Sequence, residues 1–262
     1  MSNDQLLEVA LEAAHEAGSI LRGGFGSSMS TSSKQGRHNL VTEFDHRSEQ
    51  RVIDVLRART PGARFLAEES GQHTGRDELL WVIDPLDGTV NFAHGIPIFC
   101  VSIAAVRDGE TLCGVVHQPL TEETFTCITG SGAWCNGRPM NVSTSSTLRD
   151  SILVTGFPYD VDTNPGRCID QFAAIVGRGL PVRRLGSAAL DLAYVADGRF
   201  DGYWEVELQP WDMAAGAAMV RQAGGTVTHY HGREFSLKPD SIIATNGLIH
   251  TELTSALEDL PQ

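Results

Sequence analysis

The sequence predicts an α+β fold in two lobes, with helices packed on an antiparallel sheet followed by a smaller α/β lobe. Three observations lead there. Residues 3–59 repeat apolar side chains at helical spacing, residues 64–142 read as short strands set off by turn residues, and beyond a Ser/Thr-rich stretch at 143–147 strands and helices alternate. The expected division falls between residues 1–147 and 148–262.

Each element has its own signal. Leu6, Ala10, Ala13, Ala17 and Ile20 mark an amphipathic helix over 3–22, opened by a Ser2/Gln5 capping box and ended by Gly23-Gly24. Residues 26–33 have the Gly/Ser composition of a loop, and a second helix runs from about Asp45 to Arg59, where Pro61-Gly62 stops it. Strands are expected at 65–66, 79–83, 98–106, 112–117 and 124–128, with Asp108-Gly109 as a hairpin turn. The second lobe reads as strands 152–155, 182–185, 200–206, 226–228 and 242–245. Helices from Pro165, over 187–197 and over 212–223 lie between them.

Composition narrows the function. The chain of 262 residues carries 33 acidic against 20 basic residues, a formal charge of -13, which repels nucleic acid and anionic membranes. The same charge repels a phosphorylated substrate unless metal ions or aligned amides reverse its sign locally. The five cysteines show no C-x-x-C spacing, the start Met1-Ser2-Asn3-Asp4 has no basic targeting region, and the apolar run 96–106 is too short for a bilayer. A cytoplasmic protein without a membrane span is expected.

The chemistry concentrates in Trp81-Val82-Ile83-Asp84-Pro85-Leu86-Asp87-Gly88-Thr89-Val90-Asn91-Phe92, an apolar strand running into two carboxylates. Asp84 and Asp87 on either side of a turn at Pro85, with the Leu86 carbonyl, make a hard-oxygen set that suits magnesium. Gly88 and Thr89 supply amides for a phosphate oxygen. A bare D-x-x-D is also an ordinary turn and helix cap. Glu68-Glu69 after a short strand and Asp212 at a helix start add acids, each with its own bland alternative as solvated face or N-cap. Together they repel one another strongly unless divalent ions sit among them.

In this order E-E-S, D-P-L-D-G-T-V-N-F and W-D-M-A-A-G resemble the inositol monophosphatase family. The likeness extends to Leu40–Asp45, Gly156–Tyr159 and Gly186–Tyr194, and so to nearly the whole chain. It implies a layered αβαβα fold, a dependence on two or three Mg2+ ions, lithium sensitivity and a homodimer acting on a small phosphate monoester. Position by position it implies metal ligation by Glu69, Asp84, the Leu86 carbonyl, Asp87 and Asp212. Thr89 with Glu69 orients the attacking water, and Asp45 supports Thr89 or a weaker third metal. Gly88 and Thr89 bind phosphate, and Gly186, Ser187, Ala188 and Glu205 line the polyol side. Lys34 sits on a flap over 26–44. Gln209 departs from relatives that carry histidine or arginine there. The natural substrate stays open among inositol phosphate, fructose bisphosphate, histidinol phosphate and a nucleotide phosphate. Two alternatives stand beside this: a haloacid-dehalogenase-type aspartyl nucleophile, which the one-residue-longer spacing disfavours, and a non-catalytic binding protein with a vestigial site.

Overall fold

Apolar residues at helical spacing put Leu6, Ala10, Ala13, Ala17 and Leu21 on one side of helix α1 (Asn3–Gly24), where all are buried. The expected capping box forms, with the Ser2 amide donating to Gln5 Oε1 at 2.9 Å and the Gln5 amide to Ser2 Oγ at 3.3 Å. The structure, a computed structural model, describes residues 1–27, the backbone of 31–33, and residues 40–260. Lys34 and much of the expected flap lie outside the described residues. Strands β1 (Thr31–Ser33) and β2 (Leu40–Thr42) pair antiparallel and lead into α2 (Glu43–Arg59).

An eight-stranded sheet follows: β3 (Arg64–Ala67), β4 (Gly71–His73), β5 (Leu80–Asp87), then helix α3 (Thr89–Ala93), then β6 (Cys100–Arg107), β7 (Glu110–Gln118), β8 (Glu123–Ile128), β9 (Gly132–Cys135) and β10 (Arg138–Pro139). Its order is β10-β9-β8-β7-β6-β5-β3-β4, antiparallel throughout except for the parallel pair β3 and β5. Asp108 and Gly109, at φ 53° and 81°, turn β6 into β7 as expected. The second half supplies β11 (Leu153–Thr155), α4 (Cys168–Gly177), β12 (Val182–Arg183), α5 (Ala188–Ala196), β13 (Gly202–Leu208), α6 (Pro210–Gln222), β14 (Thr226–Thr228), β15 (Asp240–Thr245) and α7 (His250–Glu258). Five of these form a second sheet in the order β12-β11-β13-β15-β14, with β11 parallel to both its neighbours.

Strand alternation then sets the layers. Trp81, Ile83, Val101 and Ile103 point from one face of the large sheet into a core shared with α1 and α2. Val82, Ala104, Val116 and Phe125 point the other way, onto α5 and α6, and Tyr203, Ile242 and Ala244 of the small sheet enclose those helices from the far side. Trp204, Leu153 and Ile243 face outward onto α4 and α7. The order is helices, sheet, helices, sheet, helices. One buried cluster therefore crosses the expected boundary at residue 147. Among the described residues no helix is long and apolar enough to cross a membrane, and all five cysteines are buried and free.

Candidate active site

Residues three apart on a regular strand face opposite ways, so Asp84 and Asp87 need a local irregularity to meet. Pro85 has no N–H for the ladder, and against β6 the pairing slips from Asp84↔Ser102 to Asp87↔Cys100, three steps on β5 against two on β6. That bulge turns both carboxylates to one side, where they are 2% and 9% exposed. The turn expected at Pro85 is thus a bulge within β5. It is held by the Ser48 hydroxyl of α2 donating to the Pro85 carbonyl at 2.7 Å and by the Leu86 amide donating to Asp84 Oδ1 at 3.0 Å. Gly88 comes next at φ +97°, where a Cβ would lie 2.9 Å from the Ile98 carbonyl oxygen, so only glycine fits and α3 can start at once at Thr89.

The Thr89 hydroxyl stands 2.9 Å from Asp45 Oδ1 and 2.9 Å from the Leu86 carbonyl, and its one proton serves one of them at a time. Asp45 is the third residue of α2 and fully buried; its Oδ2 accepts the Thr42 amide at 2.7 Å and the Thr42 hydroxyl at 2.6 Å. Asp212 stands at the matching place in α6, with Oδ2 accepting the Gln209 amide at 2.6 Å. Helix cap and acid-cluster member are one residue here. Gln209, expected beside the substrate, is the N-cap of that helix.

Glu68, to which the resemblance gave no role, acts on the cluster. The β3–β5 register pairs Ala67 with Ile83, and the Glu68 amide extends it by donating to the Ile83 carbonyl at 3.2 Å, which sets Glu68 alongside Asp84. Burial, then the charges of Glu68, Asp87 and Asp212, push Asp84 well above the usual carboxylate range. Burial, then Asp87, Glu68 and Glu205, do the same to Asp212, against the bond from the Gln209 amide. The next residue lies in the turn after β3, where the Glu69 amide donates to Glu49 Oε2 of α2 at 2.8 Å. Glu68 is therefore a candidate ligand beside Glu69. The E-E pair itself held no signal for Glu68, which the register of β3 supplies.

The small lobe closes the site. Glu205 lies inside β13, with Oε2 accepting the Tyr203 hydroxyl at 2.5 Å. Burial raises it to about 7, with the Tyr203 bond opposing, the Asp87 charge adding and Arg184 opposing. Gly156 makes room, since a Cβ there would lie 2.1 Å from Glu205 Oε2. Gly186, at φ +85°, adjoins Asn91, whose Nδ2 donates to the Leu185 and Ile98 carbonyls at 2.8 Å each and ties the lobes together. Ser187, expected on the polyol side with Ala188, also reaches the acid cluster. Ser187 is 1% exposed and donates to Asp87 Oδ2 at 2.7 Å, and the Ala189 amide reaches the same oxygen at 2.7 Å. The Tyr159 hydroxyl is raised by burial and by Glu68, Asp87, Asp212 and Asp84, although the residue is 55% exposed, which sets its ring at the mouth of the acid cluster. Its signal was the Gly156–Tyr159 likeness, which carried no role.

Do these residues fit magnesium? Among the described residues no three His, Cys, Asp or Glu side chains are arranged to hold a metal ion by themselves. Magnesium does not need three, because it keeps several waters and takes only one or two carboxylates per ion. The charges acting most on Asp84 and Asp212 are all negative, a repulsion that divalent cations would relieve. The fit is good. A cavity of about 130 Å³ lined by Arg64, Leu66, Leu80, Val82 and Pro210 is separate and includes none of these acids.

A layered αβαβα fold that brings acids from a bulged strand and from a helix N-terminus to one cleft defines the class. The chain belongs to the inositol monophosphatase family, whose model matches residues 2–262. It is 44% identical over 257 residues to the inositol-1-monophosphatase of Synechocystis sp., covering 98% of this chain and 90% of that one. It is 39% identical to the Nus factor SuhB of Salmonella typhimurium, over 97% of this chain and 96% of that one. The crystal structure of extragenic suppressor protein suhB from Bartonella henselae superposes with a TM-score of 0.92 at 40% identity, over 97% of this chain and 98% of that chain.

Proposed function

We propose that this chain is a metal-dependent phosphatase that hydrolyses a small polyol or sugar phosphate monoester, inositol monophosphate foremost, to the alcohol and phosphate. One observation carries the reading: Glu68, Asp84 and Asp87 from the large sheet and Asp212 from α6 act on one another as mutually repelling acids, beside the Thr89–Asp45 pair. Glu68, Asp84, the Leu86 carbonyl, Asp87 and Asp212 would hold two or three Mg2+ ions, which when bound lower the pKa of the attacking water and screen the phosphate charge.

The protein's own part is orientation. Asp45 takes the Thr89 proton, which leaves the Thr89 oxygen to accept from a water and aim that water's lone pair at phosphorus. Glu68, just beyond β3, would take the proton that the water releases as its oxygen bonds to phosphorus, while the ester P–O bond opposite breaks and the departing alkoxide takes a proton from solvent water. The Gly88 and Thr89 amides open α3 toward the phosphate oxygens, and Glu205 with Gly186 faces the polyol end. No protein nucleophile is required, so the reaction is a single in-line displacement.

Hydrolysis of a chiral phosphate monoester in isotopically labelled water tests this. Inversion at phosphorus is the expected result; retention, or an acyl phosphate trapped on Asp84, would overturn it. A panel of inositol, fructose, histidinol and nucleotide phosphates compared by kcat/KM ranks the substrates, with inositol monophosphate expected first. Lithium inhibition, a homodimer and a cytoplasmic location belong to the same proposal, checked by inhibition assay, light scattering and fractionation. A non-catalytic binding role is the weaker reading, because Asp84, Asp87 and Asp212 act on one another as a set of acids.

A further inference from the structure

Asp87 is held in an unusual way. A serine at the N-cap of a helix ordinarily accepts the N2 or N3 amide with its own hydroxyl. Ser187 is the N-cap of α5 and makes no such bond. Its hydroxyl donates across the lobe boundary to Asp87 Oδ2 at 2.7 Å, and the N2 amide of the helix, that of Ala189, goes to the same Asp87 oxygen at 2.7 Å. A carboxylate from β5 thus replaces the serine as cap of α5. The Cys100 thiol, on the neighbouring strand β6 and paired in register with Asp87, completes the set at 3.7 Å from Oδ2 and 3.6 Å from Ser187 Oγ.

These contacts all fall on Oδ2. Both Ser187 and Cys100 are buried, at 1% and 0% exposure, and so reach neither solvent nor a substrate in the cleft. We propose that Ser187, assisted by Cys100, is a positioning residue that fixes the Asp87 carboxylate through Oδ2 and so presents Oδ1 to the metal. The proposal rests on the phosphatase reading above. It assigns Ser187 to the metal side of the site instead of the polyol side. The physical reason is rotational: a carboxylate on a bulged strand turns freely about its Cβ–Cγ bond unless one oxygen is fixed. The positive end of α5 adds attraction to the same atom.

The test is Mn2+ binding by calorimetry in the absence of substrate, on the parent and on Ser187→Ala, Ser187→Thr and Cys100→Ala. Melting in EDTA accompanies it to show that the fold is retained. Removing an outer-sphere partner of a metal ligand costs roughly tenfold in metal affinity or more, so Ser187→Ala should raise the Mn2+ dissociation constant about tenfold. KM for substrate at saturating Mg2+ should stay near the parent value. Ser187→Thr keeps the hydroxyl and should restore binding. Cys100→Ala should weaken it by less, since a thiol is a weak donor, and it reads the same oxygen without touching α5. Ser187→Ala that binds Mn2+ like the parent while KM rises would overturn the proposal and return Ser187 to the substrate. A parent that binds no Mn2+ would overturn the phosphatase reading as well, so the two failures are told apart.

Discussion

Asp45 and Asp212 each serve twice through their two oxygens. In both, Oδ2 closes a helix N-terminus, and the rest of the carboxyl group belongs to the site. This makes asparagine the informative substitution, since its carbonyl still accepts the cap bond. Asp212→Asn should melt near the parent in EDTA yet lose roughly 100-fold in activity at fixed Mg2+, the upper range for disturbing a metal centre. Circular dichroism and a kcat assay read the two halves. Glu68 and Glu69 offer a second contrast: Glu68→Gln should fall comparably, and Glu69→Gln should keep most of its kcat. The reverse order would restore the original assignment. Glu205 gives a pH signature. Its folded pKa of about 7 lies above the ordinary 4.5, so between those values the folded chain holds a proton that the unfolded chain has released. The Glu205 contribution to the stability of the metal-free protein therefore falls as pH rises through 4.5 to 7 and levels off above, by about 3 kcal/mol at most. Urea midpoints across that range should decline for the parent and decline less steeply in Glu205→Gln, which keeps an acceptor for Tyr203, because the raised Asp84 and Asp212 still contribute in the same direction.

At the scale of elements, the bulge in β5 decides the site and a proline makes it. The D-x-x-D spacing is visible in the sequence, but whether it bends as a turn or bulges within a strand depends on β6 lying alongside. Short pieces such as β4, β9, β10 and α3 went unread for a related reason, because two to five residues hold too few repeats of either period. Helix α6 begins two residues earlier than expected, at Pro210, where a proline at the first turn loses no hydrogen bond. Close helix packing offers an element-scale prediction. Gly216 of α6 faces α5, and a Cβ there would lie 2.5 Å from Leu192 Cβ. Gly216→Ala gains about 1 kcal/mol of helix propensity, but overpacking costs about 1–3 kcal/mol. Because both helices lie between the two sheets and have nowhere to retreat, a net loss is expected, read as a lower melting temperature.

At the scale of the whole molecule, the acid cluster joins the lobes that the chain keeps apart. Glu68, Asp84 and Asp87 come from the eight-stranded sheet, Asp212 and Glu205 from the other half, and their mutual repulsion is built across one shared core. A divalent cation bound there clamps the halves together. Mg2+ at 100 times its dissociation constant should therefore raise stability by about 2.7 kcal/mol. The gain should be larger at pH 8 than at pH 6, since protons compete for the same raised carboxylates. Thermal scans with and without Mg2+ at both pH values check this; a shift that ignores pH would mean that the metal binds elsewhere.

Local chemistry determined much of this protein from the sequence alone. Capping boxes, apolar periods and the Asp108-Gly109 turn act between residues a few positions apart, and the acid motifs with their likeness to one family pointed to the chemistry before any coordinates. The tertiary structure decided what depends on partners distant in the chain. The strand register brought Glu68 beside Asp84, the slip against β6 turned Asp84 and Asp87 to one side, and the approach of α5 set the Ser187 hydroxyl on Asp87. A side chain's type fixes which bonds it is able to make, but which bond it does make is set by the one neighbour that packing brings within about 3 Å.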